Sequence, residues 1–209
     1  MKETILHKAL SASCRNFLAQ AGMQAYQYSH ELLDSTPLIL TKRGGSLFPH
    51  LVNVVYDLFV KNLCDKGEIP FVAKEEANVQ NNSYFMVFCS DILEFTVSRL
   101  SSKNSFPRYA NFRHNYALNN DLLSLFPEYE QERPINMAYA ILTHGGSSNG
   151  MYFSQIGVPR TGTQSWIGKP MVLFDRQRIT EVKYASGEDI IIEKPKLKII
   201  KDMLGEKIE

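Results

Sequence analysis

The sequence predicts an α+β fold in which N-terminal helices pack on a mainly antiparallel β-sheet built from hairpins and a meander. Three observations carry this reading. Residues 1–63 repeat apolar side chains at helical spacing. Residues 68–100 and 134–193 break into short apolar runs separated by glycine, proline and serine turns. A block of helices followed by blocks of strands is the α+β order. The chain has 209 residues, of which 44% are hydrophobic and 22% charged, and these proportions fit a single domain over 1–209 with an ordinary core.

Leu6, Leu10, Phe17, Ala21, Ala25, Tyr28 and Leu32 fall along one face and predict one long helix over residues 2–34. Gly22 is its weak point, where a bend or a split is expected, and Pro37 stops it by pushing Thr36 toward an extended backbone. After the basic loop Lys42-Arg43-Gly44-Gly45 a second helix is expected. Ser46 is its cap, Pro49 sits in its first turn, and Leu47, Leu51, Val54, Val55, Leu58 and Phe59 give it a broad apolar face. Gly67 closes the helical region.

From residue 68 the pattern turns to strands. Ile69 to Val72 predicts a short strand and Lys74 to Ser83 a polar loop. Tyr84 to Cys89 reads as a buried strand. A turn at Ser90-Asp91 then leads to a half-exposed partner, where Leu93, Phe95 and Val97 alternate with Glu94, Thr96 and Ser98. Asn119-Asn120-Asp121 is expected to open a short helix ending before Pro127, ahead of a charged linker from Glu128 to Arg133. The stretch 134–174 predicts an antiparallel meander. Its first strand, Ile135 to Thr143, is apolar on both faces, as in a strand covered on two sides. The link from Gly145 to Gly150 is read as too long for a two-residue hairpin, and further strands are expected at Met151 to Val158 and Trp166 to Phe174. Ile179 to Tyr184 is expected to extend the sheet or form a hairpin, Ile190 to Ile192 to be a further short strand, and 196–209 to be a terminal helix.

A net charge of +1 removes any global pull toward nucleic acid or anionic membrane, so such binding would require a local patch. Cys14, Cys64 and Cys89 are odd in number and form no CxxC pair. They indicate neither a disulfide framework nor structural zinc, and reduced thiols in a cytoplasmic protein are expected. No apolar h-region follows Met1-Lys2-Glu3-Thr4, so no secretory signal is expected. The longest apolar run, Tyr84 to Cys89, falls far short of the ~20 residues that span a bilayer, and no membrane partner is expected.

One stretch suggests a contact surface. Arg99, Lys103, Arg108, Arg113 and His114 interleave with Phe106, Tyr109, Phe112 and Tyr116, and no acid occurs between Glu94 and Asp121. Cations neutralise phosphates and aromatic faces stack on unpaired bases, so this composition suits a single-stranded nucleic acid. The aromatic spacings of three, three and four also describe a helical stripe, started by Ser105 as cap and Pro107 in the first turn. In that arrangement the rings face the core and the cations face water. Arg99, Lys103, Arg108, Tyr109 and Arg113 are the candidate contacts for a nucleic-acid or protein partner.

Catalytic signatures are sparse. His7, His30, His50, His114 and His144 show no HxxH or HExxH spacing, and Ser147 and Ser148 beside His144 lack a GxSxG context. The glycine-rich stretch 145–150 is followed by a strand rather than the helix N-terminus that a phosphate loop requires. Glu181-Val182-Lys183 on a predicted strand places a carboxylate and an ammonium on one face, with Asp175 upstream. Those three positions resemble the PD-(D/E)xK pattern of metal-dependent nucleases, which implies Mg²⁺ and an activated water, although no proline precedes the aspartate. The favoured reading is a non-catalytic intracellular macromolecule-binding protein without a cofactor, of the kind common among bacterial and mobile-element accessory factors. A Mg²⁺-dependent nuclease using Asp175, Glu181 and Lys183 is the alternative.

Overall fold

The computed structural model describes residues 2–36, 41, 45–78, 80, 82–125, 137–162 and 164–177. The chain divides after Asp175 into two compact units, Met1–Asp175 and Arg176–Glu209. The strands expected at 179–184 and 190–192 and the helix expected at 196–209 lie outside the described residues.

The first unit has the predicted α+β architecture. Its helices are α1 (Lys2–Ala9), α2 (Ala12–Ser35), α3 (Phe48–Asp65) and α4 (Asn111–Leu125). Its strands are β1 (Val72–Ala77), β2 (Tyr84–Cys89), β3 (Leu93–Arg99), β4 (Ala138–Ser147), β5 (Gly150–Gly157) and β6 (Met171–Asp175). They form one sheet in sequence order, antiparallel throughout except for the β3–β4 pair, which is parallel. Parallel neighbours need a long crossover, and α4 lies within it. No helix among the described residues is long and apolar enough to cross a membrane.

The N-terminal helix does split, at Leu10–Ser11 rather than at Gly22. The Ser11 hydroxyl accepts from the Cys14 N–H at 3.1 Å and so caps α2. Gly22 stays inside α2 as a contact point, where a Cβ would lie 2.8 Å from the Tyr56 ring and the Met151 sulfur. α3 begins at Phe48 with Pro49 in its first turn and no side-chain cap, so Ser46 does not take the expected role.

Strand β1 corrects both the strand expected at 69–72 and the loop expected from 74. Ala73 to Ala77 pair with Phe88 to Tyr84 despite their polar character. An edge strand keeps one side in water and tolerates such residues. β3 is buried on both faces, Glu94, Thr96 and Ser98 included, because α4 and its flanking loops cover the side expected to be exposed. The β4–β5 hairpin is also tighter than expected. Ser147 pairs with Gly150, leaving only Ser148-Asn149 in the turn, and a register shift at Gly145/Gly146 absorbs the extra residue. Trp166 forms a single bridge to Pro159, and β6 starts only at Met171. Residues 105–110 are irregular, so the basic–aromatic stretch is not one helix from Ser105, and Asn119–Asp121 lies inside α4 rather than opening it.

Both sheet faces are covered. Leu93, Phe95 and Val97 share a face with Ala138, Ala140, Leu142 and His144, and α1, α2 and α3 pack on the sheet there. Tyr26, Phe48, Val52 and Met151 form a buried cluster on that side. Glu94, Thr96 and Ser98 share the opposite face with Tyr139, Ile141 and Thr143. There α4 buries Ala117 against Tyr139 and Ile141, with Tyr116 and Trp166 packed alongside.

Candidate functional site

Between the sheet and α1–α3 lies a closed polar network. His144 is fully buried, and burial first, then the Arg99 guanidinium, push its pKa down to about 3. The Tyr26 hydroxyl pairs with His144 Nδ1 at 3.0 Å, and Nε2 lies 3.4 Å from Asn53 Oδ1. A neutral imidazole carrying its proton on Nε2 satisfies both contacts. Tyr56 donates to the Leu18 carbonyl at 2.7 Å and lies 3.3 Å from Ser154 Oγ. Burial pushes the Tyr26 hydroxyl up to about 12 and Tyr56 higher still. None of these groups changes charge near neutral pH, so the network is a structural lock. Ser147 is occupied with the Tyr152 hydroxyl at 2.6 Å. Burial also raises the Cys14 thiol to about 11 and the Cys64 thiol to about 12, and it raises Cys89, which keeps all three in the poorly nucleophilic thiol form.

Of the nuclease-like positions, Asp175 ends β6 and pairs with Lys103 Nζ at 2.5 Å. Glu181 and Lys183 lie outside the described residues. Among the described residues no group of three His, Cys, Asp or Glu side chains is placed to hold a metal.

The five candidate contact residues part company. Arg99 donates to the Gly146 carbonyl at 2.8 Å and ties the ends of two strands together. Lys103 is held by Asp175. Arg113 donates to the Arg108 carbonyl at 3.0 Å and to Ser98 Oγ at 3.2 Å, and its guanidinium lies 5.0 Å from the centre of the Phe112 ring. Burial lowers its pKa, and its Nε is buried without a partner. These three cations are built into the fold. Arg108 and Tyr109 stand in water, Tyr109 with 68% of its surface exposed and its ring 6.0 Å from that of His114.

A second segment joins them that sequence reasoning missed. The loop 159–170 is tied to the same layer through Trp166, whose ring lies 4.6 Å from Phe106, and through Thr161, which donates to the Ala117 carbonyl at 2.6 Å. Asn120 completes the seam by donating to the Pro159 and Tyr139 carbonyls and accepting from the Tyr139 N–H, all within 3.0 Å. This loop adds the exposed cations Arg160 and Lys169. No acid occurs in residues 95–120 or 157–174. The absence of acids from both segments was the available signal, but their adjacency exists only in the fold.

Comparison with protein-family models, with curated proteins and with solved structures returns no match to the chain.

Proposed function

We propose that the protein is a non-catalytic intracellular binding protein that takes a single-stranded nucleic acid across the layer formed by residues 105–116 and 159–170. One observation carries this reading. Arg108, Arg160 and Lys169 are exposed on two acid-free segments of a chain whose net charge is only +1. A local concentration of cations attracts a polyanion where the whole molecule does not. Tyr109, next to Arg108 in the chain, supplies an exposed ring, and a base stacked on such a ring contributes about 1–3 kcal/mol. An unpaired strand offers its base faces to a ring and a duplex does not, so the single strand is favoured.

The test is fluorescence anisotropy with labelled oligouridylate, oligothymidylate and a duplex at two salt concentrations. Three phosphate contacts predict a loss of about 20-fold in single-strand affinity over a fourfold rise in salt. Arg108→Glu combined with Arg160→Glu should weaken binding at least tenfold, and full binding by that variant contradicts the proposal. Repeating the assay with Mg²⁺ tests the nuclease alternative, which requires cleavage by the wild type and its loss in Glu181→Ala. A protein partner is the second reading. It is favoured by α3, which leaves Leu47, Val54 and Leu58 exposed along one side.

A further inference from the structure

We infer that Glu94 and Glu76 form a proton-controlled seat beneath α4, so that loss of the Glu94 proton loosens the helix whose start carries part of the proposed contact surface. The functional consequence rests on the binding reading above; the seat itself is measurable without any ligand.

The geometry begins with the β1–β2 ribbon. It pairs with β3 only at Phe88–Phe95 and Cys89–Glu94. Its outer half is held by α4 instead. Phe85 stacks on Phe112 at 3.9 Å, and the Tyr116 hydroxyl donates to Glu76 Oε2 at 2.7 Å. The Tyr116 ring in turn lies stacked on Tyr139, 5.2 Å between centres. Tyr116 therefore joins helix, ribbon and sheet.

Glu94 sits inside this junction with 5% of its surface exposed. Among the described residues no ion pair or side-chain hydrogen bond reaches its carboxyl group. The charged and titratable groups around it come from every neighbouring element: Lys74 and Glu76 on β1, Cys89 on β2, Tyr139 on β4, and Tyr116 and Arg113 on α4. The two terminal nitrogens of Arg113 donate to Arg108 and Ser98, and Tyr116 donates its hydroxyl to Glu76. Burial first and the Glu76 charge second raise the Glu94 pKa to about 7, while Lys74 opposes them weakly. The folded state thus holds a proton that the unfolded chain releases near 4.5, so the seat weakens as pH rises from there through about 7. Once Glu94 ionises, two carboxylates act on the same tyrosine. Moving Glu76 and Tyr116 outward relieves the repulsion, and that motion unseats α4.

The deciding experiment is amide hydrogen exchange in α4, without ligand, for wild type and Glu94→Gln at about pH 6 and pH 8, after correction for intrinsic exchange. Wild-type protection should fall about tenfold at the higher pH, one pH unit past the midpoint, while Glu94→Gln stays level. Equal wild-type protection at both pH values, or a Glu94→Gln variant that follows the wild type, overturns the seat. Should Glu94→Gln not fold, Glu76→Gln takes its place. It removes the like charge and should move the wild-type transition to lower pH, and an unmoved transition overturns the inference. In a parallel titration with oligouridylate, Glu94→Gln should lose the pH dependence of affinity that the wild type shows. If no oligonucleotide binds at all, the proposed function fails while the exchange result still decides the seat.

Discussion

The two faces of the sheet bury polar side chains under different terms. On the face covered by α1–α3, His144 and Ser154 each meet a tyrosine hydroxyl, and the histidine is held neutral with both ring nitrogens engaged. On the face covered by α4, Glu94 is buried without a hydrogen bond and Arg113 keeps an unpartnered Nε. The first arrangement is rigid and electrically silent at neutral pH. The second holds a carboxyl proton that is lost as pH rises through about 7. A tyrosine–histidine network and a buried carboxyl that holds a proton thus share one sheet, and the first side keeps unpartnered atoms of its own, Arg99 Nε and Asp57 Oδ1.

His144 and Glu94 predict opposite pH responses. His144, with a folded pKa near 3, contributes stability that is present above about 6.5 and is lost as pH falls toward 3. Glu94, raised to about 7, contributes stability that is present below about 4.5 and is lost as pH rises toward 7. Between about pH 4.5 and 6.5 these two contributions cancel, and the Asp57 carboxyl, which burial also holds well above the usual carboxylate range, adds a further loss as pH rises, measurable by urea denaturation across pH.

The largest single effect is expected on the locked face. A Cβ at Gly146 would lie 2.3 Å from the Gly150 carbonyl oxygen and 2.6 Å from the Tyr26 ring, so Gly146→Ala should cost about 3 kcal/mol in urea unfolding. Glu94→Gln on the other face should do the reverse, stabilising the protein by about 2 kcal/mol at pH 8 and by almost nothing at pH 4. Tyr56→Phe removes the bond to the Leu18 carbonyl and should cost about 1–2 kcal/mol at every pH. Arg108→Glu should change stability by less than about 0.5 kcal/mol, as expected of an exposed side chain, while reducing oligonucleotide affinity severalfold. A large stability loss in Arg108→Glu would erase the distinction between built-in and surface cations.

Strand composition made most of the sheet legible. Tyr84 to Cys89, the alternation after Leu93 and the apolar run through Ile141 are all strands. The polar edge strand β1 was not, because its pairing depends on β2 rather than on its own side chains. Gly145 and Gly146 read as a turn but mark close approach, since a Cβ on Gly145 would lie 2.3 Å from the Phe153 ring. The break at Ser11 was hidden because apolar spacing runs through it, even though serine is a strong cap. The parallel β3–β4 pair was available from the long helix-bearing connection between them. Asn120 continues the four-residue spacing of Phe112 and Tyr116, which marked it as an inward-facing polar group in α4. The contact surface was half legible. Arg108 and Tyr109 were singled out and are exposed, but which cations the fold consumes depends on acceptors far away, such as Gly146 for Arg99 and Asp175 for Lys103.

The most direct measurement is amide chemical-shift mapping of isotopically labelled protein as oligouridylate is added. Shifts confined to residues 105–116 and 159–170, saturable and reduced by salt, are the predicted result. Shifts centred on α3, or none at any concentration, would contradict the assignment of the α4 layer as the binding surface.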